Sequence, residues 1–249
     1  MSHWYDSEGN PRHFEGKDGK GTTLREARKL DLYPSVTTIG QVVAKFALTN
    51  WLQEEAAMMA VAMLEDTPEL SDRAWAKTVV AASKEKTLAK ADAGTDIHDV
   101  LEKFQRGMDA APEHHAMCNA VLELIEDKTG LDFFDDLKAE ERFCDTKHGY
   151  AGMCDLHNNE WIIDFKTKDT VSPKTRGFPE QAEQLAAYRT GLLGVDSTAR
   201  LANVFISRED PTQVVWFEHK DPMAGERFRH TLMLWQVTKK FGPYYESIK

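Results

Sequence analysis

The spacing of apolar positions changes partway along the chain. From Ser35 to about Phe104 apolar residues recur every three to four positions, one face of a helix, and from Leu137 onward they fall into short runs of strand length. Residues 1–21, rich in Gly, Asp and Lys, read as an irregular arm or short hairpin. Thr22 or Thr23 can cap a short helix ending near Leu30, and Ser35, directly after Pro34, can cap the next. Further helices are expected from Asn50 to Leu64, from Pro68 and Ser71 to Leu88, from Lys90 to Arg106 and from Pro112 to Lys128. The third of these carries an apolar stripe of Ile97, Val100, Leu101 and Phe104. Strands are expected at Leu137–Asp145, Tyr150–His157 and Glu160–Lys168, with a tight Asn158-Asn159 turn joining the last two. A helix at Pro179–Leu193, strands at Leu201–Ser207 and Gln213–His219, and a last helix from Asp221-Pro222 to Lys240 complete the order. Helices, three strands, helix, two strands, helix is an α+β layout, with a mixed sheet carried by helices on one side or both.

Composition narrows the class without naming it. The 249 residues are 41% hydrophobic and 29% charged, ordinary for a water-soluble domain with a sizeable core. No basic leader precedes an apolar run, and the longest apolar stretch, Ala56–Leu64, is too short to cross a bilayer, so a cytoplasmic chain without membrane contact is expected. The three cysteines, Cys118, Cys144 and Cys154, are far apart and form no CxxC pair, which fits a reducing compartment. The net charge of −10 speaks against broad nucleic-acid binding. Cations do gather locally, at Arg25, Arg28 and Lys29, at Lys166, Lys168, Lys174 and Arg176, and at Arg227 and Arg229. Each cluster is equally well a solvated face.

The candidate chemistry lies on the second and third strands. Side chains alternate along a strand, so Asp164, Lys166 and Lys168 share one face and Ile163, Phe165 and Thr167 the other. If the two strands form a hairpin, Asp155 comes close to Asp164, and two such carboxylates repel unless a cation stands between them. Oxygen donors with room for water suit Mg²⁺ or Mn²⁺. Two acids and a lysine are also what a solvated, salt-bridged surface hairpin looks like. Four features bear on a site. Gly149 and Gly152 permit close backbone approach beside Asp155, and Ile162-Ile163 running into Asp164 reads as a central strand. His98 and Glu102, one turn apart, border the buried stripe of their helix, where His98 could add a nitrogen donor. Gln184 and Tyr188, also one turn apart with Gln181 on the same side, could contact a nucleotide or hold Lys166, or could simply be one side of an amphipathic helix.

Taken together, Gly94-Thr-Asp-Ile-His98-x-x-x-Glu102, Glu140, Gly149-Tyr-Ala-Gly152-x-x-Asp155, Asp164-Phe-Lys166 and Gln184-x-x-x-Tyr188 resemble the PD-(D/E)xK nuclease superfamily, in particular its RecB-like exonuclease branch. Tyr33-Pro-Ser-Val-Thr-Thr-Ile followed by Trp51 is similar to phage recombination nucleases and the mitochondrial genome-maintenance exonuclease. The resemblance spans residues 33–240. It implies a restriction-endonuclease-like core on a central mixed sheet and one nuclease domain over 1–249, with an arm at 1–32, a helical wall or arch at 33–130 and a catalytic core at 131–249. It implies Asp155, Asp164 and the Phe165 carbonyl as ligands of one or two Mg²⁺ or Mn²⁺ ions, His98 as an extra ligand and Lys166 as the catalytic lysine. Glu140 would be the outer acid, with Glu141 beside it as the other choice of register. Gln184 and Tyr188 would contact DNA or order the site. Ser35, Thr37 and Lys168 would lie along the strand's path, and Trp51 would be available to stack on bases. Asp164 stands where many relatives have Glu. With three cysteines, the four-cysteine iron–sulfur cluster of some relatives is not expected.

The function so implied is a metal-dependent DNA exonuclease of recombination or repair. Its substrate would be DNA with a free end or a single strand, and a single-strand annealing protein or recombinase is a conceivable partner. A catalytically silent DNA-binding or scaffold protein of the same fold, and a site- or structure-specific endonuclease, are the competing readings.

Overall fold

A computed structural model of the chain describes residues 2–43, 46–64 and 71–249. The architecture is α+β. The chain divides into two compact units, one made of residues 1–43 and 98–249, the other of residues 44–97. Among the described residues no helix is long and apolar enough to cross a membrane.

In the larger unit, β1 (Trp4–Tyr5) pairs antiparallel with β2 (Tyr33–Pro34). Trp4 and Tyr5 are buried, and Trp4 packs edge-on against Trp235 and Phe241, so the start of the chain belongs to the core. Between these strands lies α1 (Leu24–Lys29), with Thr23 as the cap expected from sequence. Ser35 likewise caps α2 (Val36–Gly40).

The smaller unit holds α3 (Phe46–Ala62) and most of α4 (Asp72–Gln105). Lys86 and Glu55 join the two helices at 3.3 Å. The expected opening at Pro68 lies outside the described residues. Sequence predicts two helices across 71–106, yet α4 is continuous. Leu88-Ala89-Lys90 contains no proline, glycine or cap, so nothing there interrupts the i to i−4 ladder. The part of α4 from His98 to Gln105 belongs to the larger unit.

After α5 (His115–Thr129), ended by Gly130 in a left-handed conformation, come β3 (Lys138–Asp145), β4 (Tyr150–His157) and β5 (Trp161–Lys168). Then follow α6 (Pro179–Leu193), β6 (Arg200–Ser207), β7 (Val214–His219), α7 (Ala224–Lys239) and α8 (Pro243–Ser247). The five longer strands form one mixed sheet in chain order, antiparallel except for the β5–β6 pair. A parallel pair needs a crossover, and α6 supplies it. β6 is buried from Leu201 to Ser207, as a central strand with both faces covered must be.

The main core lies where α6 and α7 meet the sheet. Leu185, Ala186 and Ala187 of α6 pack there with Phe228, Leu232 and Trp235 of α7 and with Phe143, Tyr150 and Ile162 of the sheet. Small residues let α6 come close. A Cβ on Gly191 would stand 2.0 Å from Cε2 of Phe143, whose ring is held edge-on by Tyr150 and Tyr188.

Alanine in a helix interior normally gains about 1 kcal/mol over glycine. At residue 191 the collision with a wedged ring outweighs that gain. Gly191→Ala is expected to destabilise the protein by about 1–2 kcal/mol in urea unfolding, against the trend for helical glycines.

Candidate active site

Strand register assembles the acids. Ala139 opposes Leu156 and Glu141 opposes Cys154, which leaves Glu140 opposite Asp155. Leu156 opposes Ile163, and one more step in that register sets Asp155 opposite Asp164. Asp164 in turn opposes Asn203 on β6. Glu140, Asp155, Asp164 and Asn203 therefore form one row across four strands.

The row is irregular where it matters. The β4–β5 ladder stops at Leu156–Ile163, one step short of the two aspartates. There the Asp155 carboxylate accepts the Phe165 N–H at 2.7 Å, taking the place of a strand partner. A strand residue carries its N–H and C=O on the same side, so the Phe165 carbonyl faces the same gap. Glu140 sits at φ 51°, in the left-handed region that a non-glycine strand residue seldom adopts.

Every acid in the row is burdened by burial or by its neighbours. Asp164 is 3% exposed. Burial raises its carboxyl to about 6 and the nearby Asp155 adds to this, against the pull of Lys166. Lys166 Nζ lies 2.5 Å from Asp164 Oδ2. Burial works against the lysine's charge, but Asp164 and Asp155 outweigh it and hold the ammonium on. Burial also opposes ionisation of Asp155, yet the imidazole of His98 and the charge of Lys166 hold its carboxyl below the usual range. His98 Nδ1 is 3.3 Å from Asp155 Oδ2, and its ring stands edge-on to Phe165. Glu140 is pushed up to about 7, first by burial and then by Asp155 and Glu102. Glu102 itself pairs with Arg106 at 2.9 Å.

Structure separates the two neighbouring glutamates. Glu141 accepts from His157 Nε2 at 2.9 Å and pairs with Lys138 at 3.4 Å, away from the aspartates. Glu140 is the one that senses Asp155, Glu102 and His98.

The Gln184–Tyr188 pair holds Asp164, whereas its spacing suggests a nucleotide contact or a hold on Lys166. Gln184 Nε2 donates to Asp164 Oδ1 at 3.3 Å and to the Tyr188 hydroxyl at 2.7 Å. Tyr188 is buried, with its hydroxyl accepting from Gln184. Ser35 is also buried, its hydroxyl accepting the Thr38 N–H, whereas Thr37 is exposed and hydrogen-bonded to it. Lys168 Nζ rests over the rings of Phe178 and Phe205, 5.1 and 4.7 Å from their centroids. Trp51 lies on α3, in the other unit.

Sequence reasoning missed Asn203 and His219. Asn203 is fully buried, and its Nδ2 donates to the Asp164 carboxylate at 2.8 Å and to the Asp164 carbonyl at 3.0 Å. Its Oδ1 therefore faces His219 and accepts from Nε2 at 2.7 Å. One polar residue inside Leu-Ala-Asn-Val-Phe-Ile is a visible signal, because a buried amide needs specific partners.

Among the described residues no three His, Cys, Asp or Glu side chains already converge as a metal cage. Lys166, His98, Asn203 and the Phe165 amide occupy the acids instead. Carboxylates of Asp155 and Asp164, the Phe165 carbonyl and the His98 nitrogen nonetheless form a donor set that suits a hard divalent cation. A cation there would relieve the burial and mutual repulsion that raise Asp164 and Glu140. Comparison with protein-family models and with curated protein sequences finds no match.

Asn203→Ala leaves Asp164 and His219 each short of a partner, and about 1–3 kcal/mol of stability should be lost in urea unfolding. His219 supplies a pH signature. Burial holds its imidazole down to about 4, whereas in the unfolded chain it takes up a proton near 6.5. Between those values the unfolded state binds more protons, so stability falls as pH drops through that window and is unaffected above it. The full linkage is about 3 kcal/mol, cut to roughly 1–2 by partial solvent screening. His219→Gln should lose less thermal stability than wild type between pH 6.5 and 4. Parallel curves would refute the assignment.

Proposed function

We propose that the chain is a metal-dependent DNA nuclease of the PD-(D/E)xK kind, with a restriction-endonuclease-like core, acting as an exonuclease in recombination or repair. The observation that carries this reading is the row of Glu140, Asp155 and Asp164 ending beside Lys166, at the point where the β4–β5 ladder opens. Surface salt bridges do not need a strand pair to part, nor a buried asparagine and a buried tyrosine behind them.

In this reading Asp155, Asp164, the Phe165 carbonyl and His98 would hold Mg²⁺ or Mn²⁺, with Glu140 at the outer edge. When bound, such an ion neutralises phosphate charge and acidifies the attacking water. The protein's own groups do the positioning. Asn203 and Gln184 fix the two oxygens of Asp164. His98 and the Phe165 amide fix Asp155. Lys166, kept protonated by both aspartates, is placed to stabilise the extra negative charge of the pentacovalent transition state. The net charge of −10 confines DNA contact to a local surface, so binding should depend strongly on salt. A single-strand annealing protein or recombinase is a fitting partner class for such an enzyme.

The test is cleavage of linear and circular DNA, single- and double-stranded, with Mg²⁺ or Mn²⁺. Wild type should degrade linear DNA, and Lys166→Ala should be slower by about a hundredfold or more while still folding cooperatively, at a lower melting temperature. Equal inertness of folded wild type and variant would leave a silent DNA-binding protein. Circles cut as fast as linear DNA would make it an endonuclease.

A further inference from the structure

Beyond the acids, one exposed aromatic residue sits beside the site's lysine-bearing strand. Phe178 precedes α6 and is 45% exposed. Its N–H is capped by Gln181 Oε1 at 2.8 Å, and α6 then runs on to Gln184, which touches Asp164. On β5, Lys168 follows Asp164 and Lys166 at alternate positions and places Nζ 5.1 Å from the Phe178 ring centroid. Ring and ammonium thus lie near the carboxylates by two independent routes. Along the strand the offset from Asp164 to Lys168 is about 13 Å. Along the helix the offset from Gln184 to Phe178 is about 9 Å. Either is roughly three to four stacked nucleotides of one strand.

The segment that carries Phe178 is cationic and braced. Thr170 to Phe178 contains Lys174 and Arg176 and no acid, in a chain of net charge −10. Val171 is buried, and Ser172 and Thr175 close a turn through Ser172 N–H to Thr175 Oγ1 at 2.9 Å. A Cβ on Gly177 would stand 2.4 Å from Cε1 of His219, so this glycine lets the segment lie directly on β7. Arg176 is tied to the Pro173 and Thr175 carbonyls at 3.0 and 2.9 Å. An aromatic face held in place before the ligand arrives loses little freedom on binding.

We propose that Phe178 and Lys168 form a stacking platform for a base of single-stranded nucleic acid, with Lys168, Lys174 and Arg176 facing the backbone phosphates. A π-face beside cations, with the adjacent Asp169 paired to Arg208 and Glu180 set back in the first turn of α6, matches a base and its phosphates better than it matches an apolar protein surface. The platform rests on the reading of the site as a nuclease, and would hold the strand on the side of the acids toward the end of β5.

The experiment measures anisotropy of a fluorescein-labelled twelve-residue oligothymidylate in EDTA at one fixed low salt, which separates binding from cleavage. Phe178→Ala and Phe178→Leu should weaken binding roughly 5- to 150-fold, the range for loss of one base–aromatic stack. Phe178→Tyr should stay within about twofold of wild type. Phe178→Trp should show fluorescence quenching on saturation beyond that of wild type. The platform is overturned if Ala binds like wild type, or if Leu performs as well as Tyr. If wild type cleaves DNA while the variants bind alike, the platform fails and the nuclease stands. If binding depends on the ring but nothing is cleaved, the platform stands and the nuclease reading falls. If wild type neither binds nor cleaves, both fall.

Discussion

The Asp155 carboxylate accepts the Phe165 amide hydrogen where the next rung of the β4–β5 ladder would otherwise be. A buried amide left without a partner destabilises the fold, so the two strands can part only if some group replaces the lost carbonyl. Asp155 is that group. By replacing the rung it opens the gap, and it stays in the gap as a charged oxygen donor. The Phe165 carbonyl, on the same side as its N–H, the imidazole of His98 and the carboxylate of Asp164 gather round the same opening. Strand register, ladder end and donor set are one arrangement.

Burial makes the arrangement demanding. Carboxylates brought together away from water favour protonation, and Asp164 and Glu140 show it. The protein meets this with directed donors on each side of Asp164. Lys166 and Asn203 reach one oxygen and Gln184 the other. Behind these stand His219 and Tyr188, each fixing the group in front of it. Removing a rear member therefore acts on Asp164 without touching it. Among the described residues no donor supports Glu140 in this way, and its left-handed backbone is a local strain within the row.

Much of this was legible because it depends on local pattern. Caps at Thr23 and Ser35 follow from hydroxyls placed before helical spacing, and they form as expected. The strand boundaries of β3, β4 and β5 follow from apolar runs broken by Gly and Asn. Sequence divides residues 71–106 into two helices, yet α4 is one helix, because no breaker stands at the expected junction. The buried start of the chain was hidden by its polar composition, because Trp4 and Tyr5 are carried into the core by pairing with Tyr33 and Pro34, some thirty residues away. A buried Tyr188 on an amphipathic helix is the reading the spacing favours, and packing adds that it stands behind Gln184.

By itself the sequence determined the element order, the alternation that places Asp164, Lys166 and Lys168 together, and the one-turn spacings of His98 with Glu102 and Gln184 with Tyr188. These are periodicities of 2 and 3.6, properties of a single element. Tertiary structure alone decided that Glu140 and not Glu141 faces Asp155, because that depends on pairing between strands. It also decided that Gln184 holds Asp164, that Asn203 and His219 stand behind it, and that Phe178 lies against Lys168. Those relations join residues from ten to thirty-nine positions apart, and no local period carries that information.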